Sequence, residues 1–171
     1  AGALYWNRDD ALAREEAERL GEGEPEALLF RAVSAARLGR PEARRLFVEL
    51  FLRQRLSSLH ARAWPFLQSE PSFLASFSAA ERGLMEGKYH FTQGSWVKGI
   101  SLVEPALAAL PAGSLEGTTI IAEAGTAYAS AGRQAGGARF LEGLAAGLEG
   151  QARAAALEQA GRLFRRAKEY G

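Results

Sequence analysis

The sequence predicts an all-α fold, and the balance between helix-forming and sheet-forming residues is the main reason. Alanine and leucine, with 34 and 23 copies, make up a third of the 171 residues, whereas isoleucine, valine and threonine together number 11. Alanine, leucine, arginine and glutamate favour helices, and β-branched residues are the usual material of sheets. Glycine and proline also recur at intervals of helix length. A β-sandwich, a barrel and a parallel α/β sheet are therefore excluded.

The first part of the chain is predicted to form three helices. Residues 3–20 place apolar residues among charged ones at helical spacing. The segment 21–25 ends this helix and begins the next, because proline suits the first helical position. The second helix runs from about 26 to 38 and ends at Gly39, and the third begins at Pro41.

Prolines are expected to break the middle of the chain, because the residue before a proline avoids the helical region. They follow Trp64 and Glu70, and residues 57–78 are predicted to be an irregular insert that packs through aromatic side chains. Ser78 and Glu81 then match a capping box, in which each side chain satisfies a free backbone amide at the start of a helix.

Helices separated by short turns are predicted for the remainder, which gives about nine helices in all. Each turn signal contains a glycine. The chain is thus predicted to be a single domain of antiparallel helical hairpins. The turn signals lie at Gly94-Ser95, Pro111–Ser114, Gly132-Arg133 and Glu149-Gly150.

The net charge and the absence of cysteine exclude several kinds of binding partner and of functional site. The 21 basic and 20 acidic residues leave a net charge of +1, which provides no overall attraction to a nucleic-acid backbone. Without cysteine, disulfides, thiolate zinc sites and a cysteine nucleophile are excluded. No apolar run reaches about 18 residues. We therefore expect no nucleic-acid partner and no membrane span, and the compartment stays open between the cytoplasm and a bacterial periplasm or envelope.

A repeated pattern of small and aromatic residues links the predicted hairpins. Shifting residues 121–131 by 36 positions places apolar, alanine, glycine and aromatic residues on their equivalents in 157–167, and a backward shift of 38 finds a further copy. The first glycine lets a partner helix approach, the aromatic residue fills the space one turn later, and the last glycine ends the helix in the left-handed conformation. The matched triplets are Gly87, His90 and Gly94, and Gly125, Tyr128 and Gly132.

This spacing resembles the tetratricopeptide repeat family, whose unit is a helix–turn–helix of about 34 residues. The resemblance implies a right-handed superhelix, an α-solenoid of stacked hairpins, over residues 1–171. His90 departs from the pattern, because the family has a larger aromatic residue there. The implied units are a weak unit at 25–56, the insert at 57–78, units at 80–113 and 118–151, and a terminal half-unit at 154–171.

Residues that could perform catalysis or bind a metal are few and scattered. The two aspartates are Asp9 and Asp10, and the two histidines, His60 and His90, are isolated in the sequence. No nucleophile elbow, phosphate loop or histidine-pair metal motif occurs. The pairing of Ser57 with His60 is interpreted as a polar helix edge. We therefore predict that the protein is not an enzyme and has no cofactor or metal.

Ligands of the family that the sequence resembles contact first-helix side chains on the concave surface. The resemblance therefore implies a groove with basic ends and an aromatic side chain, suited to an acidic or extended segment of another protein. We predict a non-enzymatic protein-interaction or scaffold module. The predicted groove residues are Arg37, Leu84, Lys88, Phe91, Thr126, Ser130, Arg162, Arg165 and Arg166.

Two other functions remain open. Stacked alanine-rich hairpins also resemble the helical region of bacterial envelope enzymes such as soluble lytic transglycosylases, in which case this region would orient peptidoglycan. The terminal helix, predicted over 151–170, lacks the partner helix that its unit implies. It either caps the array or pairs with a second copy or with the rest of a longer chain, so self-association is the third hypothesis.

Overall fold

Residues 25–169 are described by the computed structural model, and within them the chain forms nine α-helices and no strand. The predicted all-α fold is confirmed. The helix predicted over 3–20 lies outside the described residues. A π-helical turn, Glu49–Arg53, continues α2, and a 3-10 turn, Ala112–Leu115, precedes α7. The helices are α1 (Pro25–Arg37), α2 (Ala43–Val48), α3 (Ser58–Ser69), α4 (Pro71–Leu74), α5 (Ala79–Thr92), α6 (Trp96–Ala109), α7 (Ile120–Ser130), α8 (Gln134–Ala145) and α9 (Gly150–Glu169).

Aromatic side chains join α2, α3 and α4. The ring of Phe47 in α2 stacks on Phe66 of α3 at a centroid distance of 5.7 Å, and Phe73 of α4 lies 5.6 Å from Phe47. The predicted helix break at Trp64-Pro65 is wrong, because α3 continues through Pro65. Burial of Trp64 and Phe66 outweighs the backbone hydrogen bond that proline cannot donate. The segment predicted as an irregular insert therefore forms α3 and α4.

Two predicted helix boundaries are confirmed. Helix α3 ends at Ser69, and Pro71 stands at the first position of α4. At the start of α5, the Glu81 N–H donates to Ser78 Oγ at 3.1 Å, and the Ser78 N–H donates to the Glu81 carboxylate at 2.8 Å. This is the reciprocal pattern of the predicted capping box. The same carboxylate binds Arg44 of α2 at 2.6 Å and so ties the two helices together.

Three glycines end helices α1, α5 and α7 in one geometry. Gly39, Gly94 and Gly132 have φ angles of +63°, +67° and +68°, a region that residues with a Cβ seldom adopt. In each turn, the residue after the glycine donates its N–H to the carbonyl five residues back, at 2.8 to 2.9 Å. This bond defines a Schellman turn, which ends the helix and reverses the chain. The predicted turn glycines at 94 and 132 are confirmed.

The hairpin of α5 and α6 is packed through glycines. A Cβ placed on Gly87 would overlap the side chain of Val103 and lie 3.0 Å from the Gly99 carbonyl oxygen, while Gly83 faces Ala106. Positions early in α5 thus meet positions late in α6, so the two helices run antiparallel. The predicted role of Gly87 is confirmed: the absence of a side chain allows the partner helix to approach.

The sequence equivalents of Gly87 lie in different surroundings. Gly125 is buried against α9, where a Cβ would lie 2.6 Å from Gln159 Oε1, instead of against the second helix of its own hairpin. Gly161 is half-buried, and the nearest atom to a Cβ placed there is Arg165 Nη1, at 3.7 Å. The prediction that all three glycines admit a partner helix in the same way is therefore corrected, because within residues 25–169 no helix covers the Gly161 side of α9.

Most helices that are adjacent in the chain also pack against each other. The most extensive contacts are those of α5 with α6 and of α8 with α9, and α7 packs on α9 as α3 packs on α5. Between hairpins, Glu116 Oε1 accepts a hydrogen bond from the Ala152 N–H at 3.2 Å, which places a negative charge at the positive start of α9. The buried side chains of α1 to α9 form one continuous core. This arrangement is compatible with a helical repeat fold.

We expect Gly87→Ala to lower the free energy of unfolding by about 1–3 kcal/mol, because the new methyl group would collide with Val103 and with the backbone of α6. Gly161→Ala is the matched control, the same change in a helix with open space around it. It should raise the free energy of unfolding by about 0.5–1 kcal/mol through helix propensity. Urea denaturation measures both values, and equal effects would contradict the close packing of α5 on α6.

Candidate functional site

Four of the predicted groove residues line one cleft between α7 and α9. Thr126 and Ser130 of α7 face Arg162 and Arg166 of α9 across an open volume of about 250 Å³. Each pair is spaced four residues apart, so its two members lie one turn apart on the same helix face. The remaining lining residues are Gly125, Ala129, Gln159 and Leu163.

Gly125 and Gln159 determine how closely the two helices approach at this cleft. The Gln159 side chain lies in the space that a Cβ on Gly125 would occupy. Reasoning from the sequence did not include these two residues in the groove. The repeated pattern does single out Gly125 as a position of close helix packing, but its partner was expected on the following helix, α8, instead of on α9. The contribution of Gln159 depends on the packing of α9 against α7, for which the sequence has no local signal.

The two arginines of the cleft differ in what they contact. Arg162 forms an ion pair with Glu158 at 2.5 Å, and both side chains are 57% exposed, so the pair is weak. Arg166 makes no ion pair or hydrogen bond with residues 25–169. On α7, the Thr126 hydroxyl donates to the Ala122 carbonyl at 3.2 Å, which leaves its oxygen able to accept a hydrogen bond. The cleft therefore presents two accessible guanidinium groups.

The chemistry of this lining favours anion binding. Guanidinium groups bind carboxylates through paired, charge-assisted hydrogen bonds, and the Ser130 hydroxyl and the Gln159 amide are neutral hydrogen-bonding groups. Among the described residues that line the cleft there is no histidine, aspartate or glutamate.

A shallower hollow adjoins the cleft at Ser130. It lies at the turn between α5 and α6 and contains the half-buried ring of Trp96 and the exposed side chains of Val97 and Lys98. Ser130, a predicted groove residue, lines both depressions, so the hollow lies next to the cleft.

Leu84, Lys88 and Phe91 are buried, which corrects their prediction as groove residues. All three lie on α5, which packs on α6, on α3 and on the π-helical turn. The Phe91 ring reaches Gly99, where a Cβ would lie 2.5 Å from it. The family resemblance placed these side chains on an open concave surface, but the helices around α5 cover that surface.

Lys88 is the centre of a buried polar cluster. Its Nζ lies 2.9 Å from Glu123 Oε2 of α7 and donates to the Gln54 carbonyl at 2.5 Å and to Thr119 Oγ1 at 3.1 Å. The other oxygen of Glu123 accepts the Leu56 N–H at 2.7 Å. Burial lowers the pKa of Lys88, and the charge of Glu123 opposes that shift. The cluster joins α5, α7 and the loop after the π-helical turn.

Arg37 and Arg165 lie outside the cleft. The guanidinium carbon of Arg37 is 5.8 Å from the centroid of the Phe66 ring, in cation–π geometry at the other end of the chain. The Arg165 side chain is exposed near Gly161, on a different side of α9 from the cleft. The structure thus brings together four of the nine predicted residues.

His60 is buried, although Ser57 and His60 were interpreted as a polar helix edge. The Ser57 N–H donates to His60 Nδ1 at 3.1 Å, and in the matching neutral tautomer Nε2 donates to the Leu50 carbonyl at 3.0 Å. That carbonyl belongs to the π-helical turn. Burial and then the charge of Lys88 lower the pKa of His60 to about 4. The imidazole is therefore neutral at pH 7 and structural.

No family model, curated protein or solved structure matches the chain. In the part of the chain that the structure describes, no three histidine, aspartate or glutamate side chains converge as a metal site requires. None of the helices described is long and apolar enough to cross a membrane.

We expect Lys88→Met to lower the free energy of unfolding by about 3–5 kcal/mol, because it leaves the Glu123 carboxylate buried without its cation. Lys98→Met is the matched control, since Lys98 is exposed, and its effect should stay within about 0.5 kcal/mol. Chemical denaturation of both variants gives the comparison. A loss below about 1 kcal/mol for Lys88→Met would contradict the structural role of this ion pair.

His60 should make the protein less stable as the pH falls. The pKa of this histidine is about 4 when folded and 6.5 in the reference state, so between these values only the unfolded chain binds the proton. Lowering the pH from about 7 to about 5 should reduce the free energy of unfolding by about 2 kcal/mol through this group. Denaturation of the wild type and of His60→Gln at both pH values measures the difference.

The same histidine can be observed directly by NMR. We expect the imidazole signals of His60 to show no titration above about pH 5. A titration near pH 6.5, or an identical pH dependence in His60→Gln, would show that the imidazole is not desolvated as described.

Proposed function

We propose that this protein is a non-enzymatic interaction module whose cleft between α7 and α9 binds an acidic segment of another protein. The proposal includes the predicted right-handed superhelix, in which successive hairpins present one side of α7 and α9 to the partner. The observation on which it rests is the convergence of Thr126, Ser130, Arg162 and Arg166 on one open cleft. These residues were predicted from their positions in the repeat.

The size and chemistry of the cleft favour a side chain as the bound group. Its volume of about 250 Å³ lies below the roughly 300–1,000 Å³ of sites that enclose a small-molecule ligand. A glutamate or aspartate side chain would fit, with its carboxylate against the guanidinium of Arg166. Arg162 can join this contact, because its exposed ion pair with Glu158 is weak enough to be exchanged.

The hollow beside the cleft supports an extended ligand. A segment with one acidic side chain in the cleft can continue past Ser130 onto the Trp96 ring and place a second carboxylate near Lys98. Apolar contact with Val97 would add affinity between the two charged positions. We therefore favour a peptide with two acidic residues separated by an apolar one.

The test is the binding of fluorescein-labelled acidic and neutral peptides, measured by anisotropy. The peptides have an acidic–apolar–acidic core, and the neutral versions replace glutamate with glutamine. We expect the double variant Arg162→Glu/Arg166→Glu to bind the acidic peptides at least about tenfold more weakly than the wild type, since each lost charge-assisted contact is worth about 1.5–3 kcal/mol.

The matched control is Arg139→Glu/Arg153→Glu. Both arginines are exposed and lie outside the lining of the cleft, and the change in net charge is the same. This variant should keep the affinity of the wild type. Equal losses in the two variants would mean that binding reflects overall charge, and absence of binding to every acidic peptide would refute the proposal.

A further inference from the structure

Helix α9 has a short exposed apolar stripe next to its core-facing side. Leu157 is 47% exposed and Phe164 is 36% exposed, with Gly161 between them along the helix. The core-facing side of α9 packs on α8 and α7. The buried residues of the core-facing side are Ala152, Ala156, Ala160 and Leu163.

The stripe has the composition of a packed helix face. By the 36-residue shift, Leu157 and Phe164 correspond to Ile121 and Tyr128 of α7, and both of those residues are only 1% exposed. The same apolar–glycine–aromatic pattern is thus covered by other helices on α7 and uncovered on α9. The two positions of α9 are therefore free to pack against a partner helix.

Helix geometry separates the stripe into an apolar side and a charged side. With about 100° and about 1.5 Å per residue, Leu157 and Phe164 fall to one side of Gly161, whereas Glu158 and Arg165 fall to the other. Glu158 and Arg165 are both exposed. The negative residue precedes the glycine and the positive one follows it, so the charges reverse along the helix.

We propose that a second copy of this chain covers the stripe, with the two α9 helices antiparallel about a two-fold axis beside Gly161. In this arrangement Leu157 of each copy lies opposite Phe164 of the other, within about 1.5 Å along the helix axis. On the other side of the stripe, Glu158 of each copy lies opposite Arg165 of the other at the same offset. Gly161 has no side chain, so the two backbones can approach.

Charge complementarity identifies the second copy as the occupant. The antiparallel pair joins opposite charges twice, whereas a parallel two-fold pair of α9 helices would place the Leu157 and Phe164 side of one copy against the Glu158 and Arg165 side of the other. An isologous interface, in which the same surface serves on both copies, satisfies all of these groups.

The expected dimer is weak. One helix face buries less than the roughly 1,200–2,000 Å² of a stable protein interface, so we expect a dissociation constant on the order of 100 µM. Sedimentation equilibrium from about 10 µM to about 1 mM spans this range. The wild type should change from monomer to dimer across it.

The register is tested by charge reversal and mixing. Glu158→Arg and Arg165→Glu, each alone, place like charges opposite each other and should weaken the dimer at least about tenfold. An equimolar mixture of the two variants restores opposite charges at both positions, because in a mixed dimer the two reversed residues face each other and the two unchanged residues face each other. The mixture should associate as the wild type does.

Each outcome decides for or against the dimer. Circular dichroism should show all variants folded, since both positions are exposed. A wild type that stays monomeric at every concentration overturns the proposal, even if another protein covers the stripe. Dimers unaffected by Glu158→Arg, or a mixture that fails to associate, overturn the antiparallel register. Peptide binding at about 1 µM protein measures the cleft separately, because the dimer is absent there.

Discussion

The position of α7 depends on the buried ion pair between Lys88 and Glu123. Two charges removed from water are costly unless each has a close partner and further hydrogen bonds, and here the Gln54 carbonyl, Thr119 and the Leu56 N–H supply them. The cluster can form only when α5, α7 and the loop after the π-helical turn meet in one arrangement. It therefore specifies how the C-terminal hairpins sit on the N-terminal helices, and with them the α7 side of the cleft.

Glycines, which have no side chain, determine how closely the helices around this cluster approach each other. Gly87 and Gly99 bring α5 and α6 together, and Gly125 admits Gln159 and so brings α9 close to α7. The cleft lies at this last approach, and Gly125 and Gln159 are both among the residues that line it. Glu158 stands between the two surfaces of α9, beside an arginine of the cleft and at the edge of the apolar stripe. The proposed partner site and the proposed dimer surface are thus adjacent on one helix.

The helices and the turns between them could be predicted from the sequence, because they depend on interactions between residues that are close in the chain. The helical class follows from composition, the turns at Gly94 and Gly132 follow from the backbone freedom of glycine, and the start of α5 follows from the capping pair at Ser78 and Glu81. The family resemblance placed Arg162 and Arg166 on a groove, one helical turn apart, but it also placed Arg165 there, and Arg165 lies outside the cleft.

Burial across helices was not predictable in the same way. Lys88 reads as an exposed basic residue and His60 as a polar helix edge, yet both are enclosed, and Pro65 lies within a helix. The burial of Lys88 and of His60 and the helical position of Pro65 each depend on contacts between residues far apart in the chain. These contacts stabilise the buried charge, the neutral imidazole and the interrupted helix backbone, and residues near in sequence could not do so. From its sequence the chain could be read as helices, caps and turns, because these depend on contacts within a few residues. The buried Lys88 and the cleft between α7 and α9 were decided only by the packing of helices that are distant in the sequence. The removal of a side chain from water and the close approach of two helices are properties of the assembled core.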